Sequence, residues 1–216
     1  MHASPTSTPD FVHELSQAFQ DQVRRSLAFD LDHSRASLAV VDHYLSTARQ
    51  EGREPILSLL AAGAGAYFGE LVCHEIGGMW LGDGRDAWRL RLLLQPQFVH
   101  FSPVSFAFEA IIRDTPGAED PRLPAEATFG AEFLLPPGRV AGVVTPPEQA
   151  VSTPDDATWL AERLAELPPV AQDHFHSLTA RFETLSLMLE LLAERHARRG
   201  DTPRTYTLAD YVEALT

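Results

Sequence analysis

The stretch PILSLLAAGAGAYFGELVCHEIGGMWL (55–81) decides the fold. Its first two thirds carry a helical pattern. Ala61, Gly65, Gly69 and Cys73 fall four apart, so they line up as one ridge of very small side chains along a helix. Such a ridge lets a second backbone approach closely, and tight core packing is its expected use. The helix is expected to begin near Pro55 and to stop at Gly77–Gly78, where a glycine can take the left-handed conformation that closes a helix. Fourteen residues, Ile56 to Gly69, precede the first charge at Glu70. A bilayer span needs about 20 apolar residues, so a buried helix is expected here and not a membrane helix.

Beyond Gly78 the period changes from helical to alternating. Met79–Leu81 reads as a short strand and Gly82-Asp83-Gly84 as a turn. In Trp88–Leu94, Trp88, Leu90, Leu92 and Leu94 share one face, with Arg89 and Arg91 on the other. Gln95-Pro96 interrupts, and Gln97–Phe101 makes a third strand. An antiparallel meander over 79–101 is therefore expected. Ser102-Pro103 then restarts a helix with Val104, Phe108 and Ile111 inward.

Upstream, a helix from Thr8 with Pro9 at its first position carries Phe11, Leu15, Phe19, Val23 and Leu27 on one stripe. LDHSRASLAVVDHYL (31–45) opens a second helix, capped by Asp32 or Ser34, with Leu38, Val41 and Leu45 inward. Downstream, 115–154 holds eight of the sixteen prolines. Ala127–Leu135 and Arg139–Val144 flank Pro136-Pro137-Gly138, a hairpin signal. A helix from Ser152–Pro154 through Leu167 precedes Pro168-Pro169. A long helix over 170–199 follows, with Phe175, Leu178, Phe182, Leu185, Leu189 and Leu192 inward and His176, Glu183 and Glu190 on the polar side. Gly200 stops it, and Thr207–Leu215 closes the chain as a short helix. The fold class expected is α+β: a helical N-terminal part (with the meander, 1–114), a Pro-rich acidic segment (115–154) and a C-terminal helical region (155–216), in one compact domain. The long C-terminal helix packs over the small sheet, because a lone meander needs its apolar face covered.

The chain has 216 residues, 44% hydrophobic and 22% charged, as in ordinary globular proteins. All 17 basic residues are arginine, against 30 acids, for a formal charge of −13. An arginine-only chain rich in Ala, Leu and Pro points to a GC-rich bacterial genome. Between Asp114 and Asp173 eleven acids face three arginines. The best local basic cluster is Arg195, Arg198 and Arg199, at a helix end where cations suit the dipole. Neither nucleic acid nor an anionic membrane is an expected partner. One cysteine excludes an internal disulfide and a multi-thiolate zinc site. The opening MHASPTSTPD has no basic or apolar leader signal, so a cytoplasmic protein is expected.

Two segments carry a resemblance. Leu31, Asp32, Ser34, Ser37, Leu38, Val41, Asp42 and Leu45 match a pattern LDxSxxSLxxLDxxL. Gly65, Ala66, Tyr67, Gly69, Glu70, Gly77, Gly78 and Trp80 match GAYxGExxxxxxGGxW. Together, over about 30–112, they resemble uncharacterised bacterial domains of unknown function. The resemblance implies a fold and a bacterial source, not an activity.

Tyr67, Glu70 and Trp80 are the candidate binding residues of that segment. Glu70 follows a long uncharged run, and a buried carboxylate must be paired. The structural expectation is an ion pair with Arg89 or Arg91, or a hydrogen bond to backbone at the helix–strand junction. The functional one is an acid/base or ligand role. Glu70 and His74 share a helical face, and with His100 they would make a metal site, although no HExxH is present. Cys73 and His74 are adjacent and point about 100° apart, so they form no nucleophile–base pair. Cys73 is expected to be inert, and His13, His33, His43 and His196 to be surface residues. There is no GxSxG, phosphate loop or dinucleotide fingerprint. The function expected is non-catalytic binding of another protein, a basic one by charge complementarity, as an adaptor, regulator or immunity-type partner. No cofactor or metal is expected. The alternatives are a metal-assisted hydrolase using Glu70, His74 and His100, and a self-associating scaffold dimerising through the 174–192 helix.

Overall fold

The structure, a computed structural model, describes residues 7–48, 55–117, 120–124, 127–135, 155–168 and 170–215. The small-residue ridge sits at its centre. Helix α3 (Ile56–Glu75) follows α1 (Thr8–Leu27) and α2 (Ser37–Ala48), and precedes strands β1 (Gly78–Leu81), β2 (Arg91–Leu94) and β3 (His100–Phe101) and helix α4 (Pro103–Ile112). The C-terminal part contributes α5 (Asp156–Ala165), α6 (Gln172–Phe175), α7 (Leu178–Arg199) and α8 (Leu208–Leu215). The class is α+β, with a helical N-terminal part, a three-stranded antiparallel meander of order β1-β2-β3, and a long C-terminal helix.

Helix α3 packs chiefly against α4 and α1. A Cβ on Gly65 would come within 2.6 Å of the Val104 Cα, so only glycine allows this approach. A Cβ on Gly69 would collide with the Trp80 ring, which lies across the helix there. Every residue of α4 is buried, as are thirteen of the twenty in α3. At 20 residues α3 is long and apolar enough to cross a bilayer, unlike the fourteen-residue run first counted. Its most apolar window is 72% buried within the fold, which makes it a core helix. Gly77, at φ +99°, ends it in the expected left-handed turn.

Several boundaries differ from the sequence reading, each for a local reason. Trp88 and Arg89 lie in a 3-10 turn (Ala87–Arg89) and not in a strand, because the Asp86 carboxylate accepts the Trp88 N–H and caps that turn. Leu92, Leu93 and Leu94 are all buried, so β2 is covered on both faces and does not alternate. Helix α2 starts at Ser37, since Asp32 and Ser34 spend their side chains on an Asx turn and on the Ser37 N–H. Leu38, Val41 and Leu45 are buried as expected. The α1 stripe is rotated: Val12, Ser16, Phe19 and Val23 are buried, while Phe11, Leu15 and Leu27 are partly so. The expected 170–199 helix breaks between Phe175 and Leu178. There Ser177 caps α7 by accepting the Ala180 N–H, and Asp42 of α2 accepts the Leu178 and Thr179 N–H groups at 2.8 and 3.1 Å. Phe175 is consequently 48% exposed. Of the expected hairpin, Arg139–Val144 and its turn lie outside the described residues. Its first arm joins β3 instead, through an antiparallel bridge from Leu134 to His100. The start expected at Ser152–Pro154 also lies outside them; α5 is capped by Asp155.

Helix α7 packs on α2 and α4, and one buried cluster runs from Val12 of α1 to Leu192 of α7. The meander is closed from the other end. Tyr211 of α8 donates its hydroxyl to Leu94 O at 2.7 Å and accepts the Val99 N–H at 3.1 Å.

The close approach of α3 and α4 yields a direct expectation. Gly65→Leu or Gly69→Leu should overpack the core and cost on the order of 1–3 kcal/mol or more. Urea midpoints measure this; unchanged midpoints for both variants would place the ridge outside the core.

Candidate functional site

Glu70 projects from α3 toward α1 and the α1–α2 loop. Its two oxygens lie 3.2 Å from His13 Nδ1 and 3.3 Å from His33 Nε2. Gln17 Nε2 donates to His13 Nε2 at 2.8 Å, which leaves His13 Nδ1–H to donate to the carboxylate. The expected arginine partners are elsewhere: Arg91 donates to Trp88 O and Leu90 O, and Arg89 pairs with Asp86. They sit on the meander, while Glu70 faces the opposite side of α3, so two histidines do the work assigned to a guanidinium. Burial pushes the Glu70 carboxyl up, but hydrogen bonds from His33, Ser16 and His13 outweigh it and hold it below its ordinary value.

Around this carboxylate the donors and acceptors close on themselves. The Tyr67 hydroxyl accepts the His33 N–H at 2.9 Å and lies 2.6 Å from Ser37 Oγ, which donates to Ser34 O. The Tyr67 ring stacks on His33 at 4.6 Å. His33 takes φ +57° to do so, held by the Asx turn at Asp32. The matched residues Asp32, Ser34, Ser37, Tyr67 and Glu70 thus form one clasp that ties the α1–α2 loop and α2 to α3. The three candidate binding residues do not make a common face: Tyr67 is fully buried, and Trp80 lies over Gly69. Glu70 and Trp80 are each partly exposed, from different elements. His13 is exposed as expected, whereas His33 is half-buried in a loop and His196 pairs with Asp156 at 2.8 Å.

The alternative metal set is not assembled. His74 points outward and lies 3.6 Å from Glu75, and His100 is buried in the meander edge-on to Tyr211. Among the described residues no group of three His, Cys, Asp or Glu side chains is placed to hold a metal ion. The Cys73 thiol is pushed up to about 12 by burial and by Glu70, which suits an inert residue.

A second charged centre went unnoticed in the sequence. Glu109, in the middle of α4, is 1% exposed and pairs with Arg181 in the first turn of α7. The Arg181 guanidinium lies between the rings of Phe106 and Phe175, at 4.7 and 4.9 Å. His176, expected on a polar surface stripe, is buried with Nδ1 3.6 Å from the same carboxylate. The signal was available: Glu109 is the single acid in VSFAFEAII (104–112), just as Glu70 interrupts its own apolar run.

The opening of interest lies between α2 and α7. A groove of about 510 Å³ is floored by buried Leu38 of α2 and Phe182 of α7, with Ser186 and Leu187 half-buried beside them and Glu183 and Glu190 exposed at its edge. Arg35 also borders it, but its Nε donates to Glu75 at 2.9 Å and its guanidinium rests on Phe182. Comparisons with protein-family models, curated proteins and solved structures found no match.

The two acid centres differ in what they contribute. A partly exposed carboxylate held by two histidine side chains contributes about 1 kcal/mol or less. Its depressed pKa stabilises the fold above the ordinary carboxylate range, and that contribution is lost as pH falls through the folded value. Glu70→Gln should therefore remove one segment of the acid-side loss of stability and change neutral-pH stability little. Arg181→Met strands Glu109 in the core and should cost about 3–5 kcal/mol. Urea titrations from pH 7 down to acid check both, and equal effects at neutral pH would contradict the contrast.

Proposed function

We propose that the protein is a non-catalytic protein-binding protein of the bacterial cytosol, an adaptor, regulator or immunity-type partner, that receives its partner in the α2–α7 groove. The observation that carries this reading is the groove itself. Buried Leu38 and Phe182 close its floor, half-buried Ser186 and Leu187 line it, and Glu183 and Glu190 give it an exposed acidic rim, on a helix that also packs on α4. The charge balance of −13 favours a basic partner and faster encounter with it. The Glu70 clasp supports the same reading, since its donors and acceptors are used within the fold. Arginine-only composition supports a bacterial source. The burial of α3 supports a cytosolic setting.

A photo-reactive amino acid in place of Ala36, exposed at the edge of the groove, in the native bacterium, tests the reading. It should trap a specific partner protein, and the adduct should disappear when Glu183→Arg and Glu190→Arg are added. The same group in place of Gln22, exposed on α1, should trap none. Equal trapping from both positions, or an adduct with a second copy of this chain, would contradict the proposal, the latter in favour of a scaffold.

A further inference from the structure

We infer that the occupant of the α2–α7 groove is a basic amphipathic helix that continues the line of α2 along α7; this rests on the protein-binding reading above. The direction comes from two contacts. Asp42 of α2 holds the N–H groups of Leu178 and Thr179, and Arg35, at the other end, lies over Phe182. The α2 segment therefore runs antiparallel to α7, from Leu178 toward its middle. Helix α2 begins at Ser37, preceded by Arg35 and Ala36 at the groove's edge, and the groove continues along α7 past Ser186 and Leu187 to Glu190. An element lying in line with α2 would complete the cover that α2 starts.

The charges choose the occupant. Glu183 and Glu190 are seven residues apart, about 10.5 Å along the axis, and edge the same side of the groove. Glu183 has His174 at 3.7 Å. Arg35 is spoken for by Glu75, and the next acid along the helix, Glu194, is paired with Arg198. A second copy of this chain seated about a twofold axis would bring its own Glu183 and Glu190 to the same rim and add another net charge of −13. Like charges at matched positions oppose that arrangement, whereas arginine or lysine spaced seven apart meets both rim acids. Between those two positions such a helix places an apolar residue over Ser186, whose small side chain leaves room for it between Phe182 and Leu187. Leu187, only half-buried here, would be the floor of that contact.

Four synthetic helical peptides of equal length test this on the full chain. The first carries a leucine seam flanked by arginines at i and i+7. The second has glutamate in place of those arginines, and the third and fourth are the scrambled forms. The arginine peptide should bind the parent protein by fluorescence anisotropy, and its scrambled form should bind at least about tenfold more weakly. Glu183→Arg with Glu190→Arg should reverse the preference, so that the glutamate peptide binds and the arginine peptide loses affinity. Ser186→Leu, at a half-buried position on the groove lining, should remove binding of either peptide while leaving the circular dichroism and urea midpoint near the parent's. Equal binding of ordered and scrambled peptides, no reversal on charge exchange, or a parent dimer that Ser186→Leu converts to monomer each overturns the helix assignment. Specific crosslinking at position 36 with no peptide binding would overturn this inference alone and leave the protein-binding reading standing.

Discussion

Helices α3 and α4 meet at backbone distance because Gly65 has no side chain, and the rest of the molecule is arranged around that contact. A Cβ at position 65 would press within 2.6 Å of Val104, and Gly69 offers the same clearance to Trp80 one turn on. Once the two helices are this close, α4 has no exposed residue left. The meander that links them is short and buried on both faces of β2. Dispersion and burial of apolar area then supply most of the stabilisation, and they do so in the middle of the chain. The N-terminal helices and the C-terminal α7 extend the same buried cluster.

Polar residues fix how those outer elements attach. Three carboxylates each reach from one segment to another: Glu70 to the α1–α2 region, Asp42 to the start of α7, and Glu109 to Arg181 and His176. Asp42 acts as a helix cap supplied from a neighbouring helix, at two backbone N–H groups that α7 cannot satisfy internally. The Glu109 pair is the costly one to disturb, because removal of Arg181 leaves a charge in the core. Together Asp42 and Glu109 hold α7 against α2 and α4 at its first turns. That leaves its middle, from Phe182 to Glu190, alongside the start of α2. The groove is thus a consequence of where α2 begins.

The small-residue ridge, the glycine stop at Gly77 and the caps at Ser102 and Gly200 were legible because each depends on local geometry that spacing reveals. Identities of charge partners were not legible. Nothing in the order of residues says that Glu70 faces His13, 57 positions away, and not Arg91. The break at His176–Ser177 was hidden for the same reason: the apolar period runs through it, and the residue that enforces it, Asp42, is 136 positions earlier. Trp88 and Arg89 looked like a strand because alternation continued through them, while Asp86 captured the Trp88 N–H into a tight turn. The candidate trio Tyr67, Glu70 and Trp80 was read from its standing in a pattern, and the structure gives two of its members packing duties. The groove depends on two helices distant in sequence, so no single window of residues could show it.

Amide hydrogen exchange on the chain with and without a bound basic helix addresses the central claim most directly, since it reports where contact slows local opening. The account predicts added protection confined to the middle of α7, from 182 to 190, and to the start of α2, from 37 to 40. Protection centred on the Glu70 clasp at His13 and His33, with the α7 segment unchanged, would contradict it.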